Sequence, residues 1–336
     1  MPDRKKGIAV AGSMNADIFY EIDTYPEESC LTKIRNVVNN VGGSGNLIID
    51  LAKLDPKMAV KVSTIIGEGS NGRMILGELD KYPNIDQRNI TKEGKSSVTL
   101  VMNAQDTKQR TFFFLPAASD IYEEKYIDWE AVDADIFHLE YLLLMAKVDS
   151  FDSEFGTHGA RILHEARARG MKTSIDIVSE QSDRALRIVS AALKYTDYCA
   201  VNEIEAAAVT GVELVKENRV DETKVKDALL KMNELGVTTW AVIHSSQAGY
   251  GYDCRKKEFV KVPSLSLPKG YIKGSNGAGD AYCSGILYGA YQEMSLKQAM
   301  ELGTAAAACS LSQENGTDGM RSYEETMRLF EEMKAE

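Results

Sequence analysis

Short apolar runs and amphipathic stretches alternate along most of the chain. GIAVAGS (7–13) reads as a buried strand, 47–54 has helical periodicity, VKVSTIIG (60–67) is strand-like, and 74–81 is helical again. The alternation returns with ADIFHLE (134–140) and a helix near 152–169. MKTSIDI (171–177), YCAVN (198–202) and TTWAVIHS (238–245) are further strands, each with a helical neighbour. Two helices rich in small and apolar residues, roughly 278–293 and 295–311, close the main body. Strands alternating with helices predict an α/β fold with a parallel sheet covered on both faces. Two segments break this rule. DIFYEIDTYPEE (17–28) and SVTLVMNAQDTKQRTFFFL (97–115) repeat with a period of two and have no helical partner; the second turns near 103–108. They predict a small antiparallel sheet projecting as a lid, from segments near 17–37 and 95–116. No long linker or internal repeat intervenes, so residues 1–336 are expected to form one domain with this lid inserted.

Composition narrows the partners. Of the 336 residues, 44% are apolar, enough for a substantial core, and the length suits one large α/β unit. The net charge is −11 and no Lys/Arg-rich run stands out, which sets aside nucleic acid and anionic membranes as partners. A phosphorylated ligand stays open, because local amides and helix ends decide its binding. Cys30, Cys199, Cys254, Cys283 and Cys309 are odd in number and show no C-x-x-C spacing, so a reducing cytoplasm is expected rather than a disulfide framework. His138, His158, His164 and His244 have no metal-ligand spacing, which gives zinc little support. The opening MPDRKKGIAVAGSMNADIF turns from basic to apolar, but Asn15 and Asp17 interrupt it, so it reads as a first strand and not a signal peptide. No run of 18 apolar residues suggests a membrane span.

Two glycine patterns compete for the chemistry. In IIGEGSNGRMILGEL (65–79), Gly67, Gly69 and Gly72 spell G-x-G-x-x-G, the form of a dinucleotide-binding turn. The pattern follows a later strand, however, and KYPNIDQRN around the acidic candidate Asp86 reads as a loop. A tight turn that packs a helix close to the sheet is the favoured reading over a dehydrogenase site. In YIKGSNGAGDAYCSGILYGAY (271–291), Gly277, Ala278 and Gly279 leave backbone N–H groups unobstructed where a helix begins. Such a start is an anion site. Asp280 stands in the first turn, where a carboxylate is held charged and can accept a proton. Donors for developing negative charge beside a base are what phosphoryl transfer to an alcohol requires. The alternative is a plain acidic residue at a helix start.

The same stretch resembles the G-A-G-D signature of the ribokinase-like (PfkB) carbohydrate kinases. The resemblance runs over nearly the whole chain in order: GSMNAD (12–17) with the first-strand substrate motif, GGSGN (42–46) with the Gly-Gly sugar turn, IGEGSNG (66–72) with a glycine-containing turn, FHLE (137–140) with a strand end carrying a sugar-facing acid, and VNEIEAAAVTG (201–211) with N-x-x-E. It implies a three-layer α/β/α fold with a mostly parallel central sheet and a β lid. It also implies an ATP-dependent, Mg²⁺-requiring phosphotransferase with a carbohydrate alcohol as acceptor.

The resemblance also distributes roles. Asn15 and Asp17 would bond sugar hydroxyls, Gly42 and Gly43 would let the backbone approach the sugar, and Asn46 and Glu140 would add contacts. Asn202 and Glu205 would organise Mg²⁺ and its waters, Glu205 probing the ion through water; their spacing equally fits an Asn cap with a capping-box Glu. Gly249 and Thr304 would lie on the nucleotide side, Asp280 would be the base, and the Gly277, Ala278 and Gly279 amides the anion hole. The chain departs from the family at three places. Ser44 replaces a lysine of ribokinases proper, HSSQAG (244–249) replaces T-x-G-x-x-G, and Gly274 replaces an aspartate that helps bind a monovalent cation. No P-loop or protein-kinase signature occurs. Phe112, Phe113 and Phe114 keep a nucleoside acceptor open as an alternative, and a non-catalytic sugar sensor is a third reading. Paired lids would give a homodimer.

Overall fold

A computed structural model describes residues 5–107, 109–180, 183–216 and 219–334. Lys108, in the expected turn at 103–108, and residues 1–4 of the basic opening lie outside the described residues. The strands are β1 (Ile8–Gly12), β2 (Met14–Ile22), β3 (Ile34–Gly43), β4 (Val60–Ile66), β5 (Ile85–Lys92), β6 (Ser97–Ala104), β7 (Arg110–Leu115), β8 (Ile136–Leu142), β9 (Lys172–Ile177), β10 (Tyr198–Asn202), β11 (Trp240–His244), β12 (Ala248–Asp253) and β13 (Glu258–Pro263), apart from two short two-residue ladders. The main helices are α1 (Ser44–Leu54), α2 (Ser70–Leu79), α3 (His158–Ala168), α4 (Ala185–Leu193), α5 (Glu203–Thr210), α6 (Glu222–Leu235), α7 (Ala278–Tyr291), α8 (Leu296–Leu311) and α9 (Tyr323–Met333).

Among the described residues the large sheet has nine strands, in the order β13-β12-β11-β10-β9-β8-β1-β4-β5. Its members pair parallel except at the β11-β12-β13 edge, which is antiparallel. Strand β1 shows why buried strands read as unbroken apolar runs. Ile8 and Val10 enter one core with α1, α7 and α8, while Ala9 and Ala11 enter a second with α3, α4 and α6. The layers are thus helix, sheet, helix. Helices α7 and α8 approach closely because Gly285 meets Gly303: a Cβ on Gly285 would stand 2.5 Å from the Gly303 Cα.

The smaller sheet runs β3-β2-β6-β7. Two antiparallel pairs, β2 with β3 and β6 with β7, join through parallel pairing of β2 with β6. Cross-strand partners share a face, so Asn15, Asp17, Phe19 and Glu21 look inward with Thr99, Asn103, Arg110, Phe112 and Phe114. Phe113 is on the opposite face.

Three elements differ from the sequence reading. Ile85–Lys92 is a strand, not a loop; it is the half-exposed sheet edge, so its charged residues show little apolar patterning. Ile34–Gly43 is a full strand, mostly exposed, held chiefly by its ladder to β2. The helix expected near 152–169 begins only at His158, capped by the Thr157 hydroxyl.

Candidate active site

Helix α7 opens at Gly277, whose φ of 72° is left-handed. A Cβ there would also stand 2.6 Å from the Gly316 Cα. No side chain caps this helix, and among the described residues its first-turn amides, at the wall of the cleft, have no side-chain acceptor. Asp280 follows in that turn, only 8% exposed. The Tyr141 hydroxyl donates to Asp280 Oδ1, and Asn46 Nδ2 donates to Oδ2 at 2.9 Å. Burial raises the Asp280 carboxyl above its ordinary range, while these two donors pull it back.

Two more carboxylates crowd this one. Glu140, Asp176 and Asp280 each bring an oxygen within 4.8 Å of the others, and all three are buried. Burial, reinforced by neighbouring negative charge, pushes Glu140 and Asp176 well above the usual carboxylate range. Glu140 Oε2 lies 3.0 Å from His138 Nε2, and burial lowers His138 to about 3, so the imidazole is neutral. Of the trio, Asp280 is the one with two side-chain donors, which makes it the member best able to hold charge. Glu140 is fully buried, with its Oε2 bonded to His138 and an oxygen close to Asp280 and Asp176, so it does not line the acceptor floor.

The floor beside Asp280 is polar. Asn15 Nδ2 donates to Asp17 Oδ1 and, at 2.9 Å, to Thr99 Oγ1. Burial raises Asp17 to about 7. The glycine pair makes room for these side chains: a Cβ on Gly42 would stand 2.2 Å from the Asp17 carboxyl carbon, and one on Gly43 2.3 Å from Asn15 Oδ1. Beyond them, cavities of about 480 and 560 Å³ lie between the inner face of the smaller sheet and the loops near 273 and 314.

On the other side of α7 lies a more apolar cavity of about 620 Å³, whose wall includes Ala278, Gly279, Gly249, Thr304, His244 and Tyr282. The Thr304 hydroxyl is turned to the Met300 carbonyl at 2.9 Å. Gly249 is small because the Tyr282 hydroxyl would stand 2.2 Å from any Cβ. His244 packs against Tyr282 at a tilt, with ring centroids 4.9 Å apart. Ile272 and Ser275 line both this cavity and the one of about 560 Å³, so the two meet beside the Gly277–Gly279 turn.

Asn202 and Glu205 form a complete capping box on α5. Glu205 Oε1 also accepts from Ser179 at 2.7 Å, and burial raises its carboxyl to about 7. The structure therefore brings Asn15, Asp17, Gly42, Gly43, Asn46 and Asp280 together, places Gly249 and Thr304 on a second cavity, and keeps Asn202 and Glu205 at a neighbouring strand end. Tyr141, Thr99, Asn276 and Asp176 belong to the same region and were not singled out by sequence. Asp176 carries a readable signal, since it ends a strand beside the one that carries Glu140.

The competing glycines have a packing role. A Cβ on Gly67 would stand 2.2 Å from the Ser96 amide, and one on Gly72 1.8 Å from the Gly67 carbonyl. Asp86 sits on the β5 edge, paired with Arg88 at 2.6 Å.

An acid among uncapped amides, between a polar cleft and an apolar cavity at the strand ends of a three-layer α/β/α fold, defines a group-transfer enzyme of the phosphotransferase class. The chain belongs to the pfkB family of carbohydrate kinases, whose model matches residues 5–322. It is 21% identical over 330 residues to a ribokinase of Haemophilus influenzae, covering 97% of this chain and 99% of the relative. In fold it resembles Arabidopsis thaliana ribokinase complexed with ribose and ATP, with TM-score 0.79 and 19% identity over 97% of this chain and 99% of that one. It also resembles a Xylella fastidiosa fructokinase with bound ATP, with TM-score 0.75 and 19% identity over 98% and 99%.

Proposed function

We propose that this protein transfers the γ-phosphoryl group of ATP to a hydroxyl of a small carbohydrate, with Asp280 as general base. The observation that carries this reading is Asp280 in the first turn of a helix whose amides have no cap. The acceptor lies over Asn15, Asp17, Gly42, Gly43 and Asn46, so that one hydroxyl faces Asp280. Asp280 takes the hydroxyl proton as oxygen attacks phosphorus, and the Gly277, Ala278 and Gly279 amides hold the charge on the transferring group. Glu140 and Asp176 stay protonated, which spares Asp280 two adjacent charges. The nucleotide occupies the cavity bounded by Gly249 and Thr304. The smaller sheet acts as a lid over the acceptor, excluding water.

The donor set also fits Mg²⁺, a hard ion that keeps much of its water. Buried carboxylate oxygens are abundant here, and the Glu205 carboxylate accepts from Ser179 and the Asn202 amide at this strand end. Glu205, with Asn202, would hold the ion through its waters, and the ion would neutralise phosphate charge.

Asp280→Asn is expected to lower kcat by roughly 100- to 10,000-fold, the usual worth of a general base. Thermal shifts with Mg·ATP and with sugars should persist in that variant. Near-normal turnover would remove Asp280 from the mechanism. The lid's outer face exposes Val37, Phe113 and Leu115, and its edge strands are open, so we assign it to a homodimer contact. A monomer by light scattering at assay concentration rejects that assignment. Five free thiols fit a cytoplasmic location.

A further inference from the structure

We infer that the phosphoryl acceptor carries an anionic group, a carboxylate or a phosphate, received by Arg110 and Lys273; this rests on the kinase reading above. The inner face of the lid is banded. Asp17 and Thr99 form a polar row, Phe19, Val101 and Phe112 an apolar one, and Glu21, Asn103 and Arg110 a second polar row. Asp17 and Glu21 lie four positions apart along the strand, about 13 Å, a distance that an arginine side chain spans in part.

Lys273 comes from the opposite wall, in the loop leading to Gly277. Both cations line both cavities beneath the lid, of about 480 and 560 Å³. Arg110 Nη2 lies 3.1 Å from where a Cβ on Gly274 would stand, so this glycine is what admits the arginine against the loop. Asn276, in the same loop, lies near enough to Asp17 to lower its pKa as a donor and lines the larger of the two cavities. The far polar row is therefore continuous with the acceptor floor.

Glu21 and Glu314 line the same space, yet among the described residues no carboxylate oxygen comes within 4.0 Å of a nitrogen of Arg110 or of Lys273 Nζ. Among the described residues, two cations without ion pairs thus face one cavity from opposite walls. A planar guanidinium fork and an ammonium together match a carboxylate or phosphate, and a neutral sugar offers them no counter-charge.

Acceptors of one carbon skeleton test this: the free aldose, its aldonic acid and its terminal phosphate, each with Mg·ATP. One of the two anionic forms should exceed the aldose at least tenfold in kcat/KM, and which one identifies the group. Arg110→Ala and Lys273→Ala should each raise KM for that acceptor tenfold or more and leave KM for ATP within twofold, and Arg110→Lys should restore part of the loss. If the alanine variants instead raise KM for ATP with every acceptor, the cations serve the triphosphate and the inference is overturned. It is equally overturned if the aldose is preferred and the variants change neither KM. If no acceptor of any charge raises ADP formation above the rate without acceptor, the kinase reading itself fails.

Discussion

Tyr141 matters because Asp280 is asked to be a base in a place that disfavours charge. Burial raises the Asp280 carboxyl, and the hydroxyl of Tyr141 is the first of the two donors that oppose this. Tyr141 itself is kept protonated, since burial and surrounding carboxylates push it well above its ordinary value. It therefore remains a donor at every working pH. Removing it by Tyr141→Phe takes away a hydrogen bond to a charged group, worth about 1.5–3 kcal/mol. The expected outcome is a kcat lower by roughly ten- to a hundredfold, with ATP affinity retained. The acid limb of the pH–rate profile should also move to higher pH, because the charged form of Asp280 has lost a donor. A lower kcat with an unmoved acid limb would assign Tyr141 to packing alone. Sequence patterning does not reveal this residue, since it follows Glu140 in a buried strand and strict alternation sends neighbours to opposite faces.

At the scale of elements, the site is a meeting of strand ends with one helix start, and its fit depends on close backbone approach. The Gly42–Gly43 end of β3 is a clear case. Gly42→Ala would drive a methyl into the Asp17 carboxylate, at 2.2 Å before relaxation. The acceptor KM should rise at least tenfold while KM for ATP and the melting temperature change little; an unaltered acceptor KM would show that Asp17 does not touch the sugar. This juncture was partly legible, because a glycine pair before a helical run marks a turn that needs space. The buried parallel strands β1, β4, β8, β9, β10 and β11 were legible too, because each is a short stretch of apolar and β-branched residues set between helical runs. Strands β3, β5, β12 and β13 were not. The first two are exposed edges with little apolar alternation, and β12 carries Gly249 and Gly251, where α8 and Tyr282 press against the backbone and leave no room for strand-forming side chains. The neighbourhood of Asp280 was legible through its glycines, but its carboxylate partners come from strands far apart in sequence, and only the sheet order unites them.

Across the whole molecule, buried carboxylates set the response to pH. Asp17 and Glu205 are raised to about 7, Asp149 to about 6, and Asp50, Glu140 and Asp176 well above their ordinary values, burial being the main cause in each. Their unfolded values lie near 4, so from about pH 4 to 7 the folded state binds protons that the unfolded chain has released. Stability therefore falls as pH rises through that window. His138 and His244, lowered to about 3 and about 4 by burial, act in the opposite sense up to about pH 6.5, but they are two against seven once Asp280, also raised by burial, is counted. The ligand-free protein should melt several degrees higher at pH 5 than at pH 8. Asp17 alone accounts for on the order of 3 kcal/mol of that change. Asp17→Asn removes that group from the titration, so it should raise the melting temperature at pH 8, raise it clearly less at pH 5, and weaken acceptor binding. Such a pairing of gained stability with lost binding is what a site held ready for a polar ligand predicts. A melting temperature that climbs steadily from pH 5 to 8 would show that these carboxylates are solvated in the free enzyme, with the lid standing away from them.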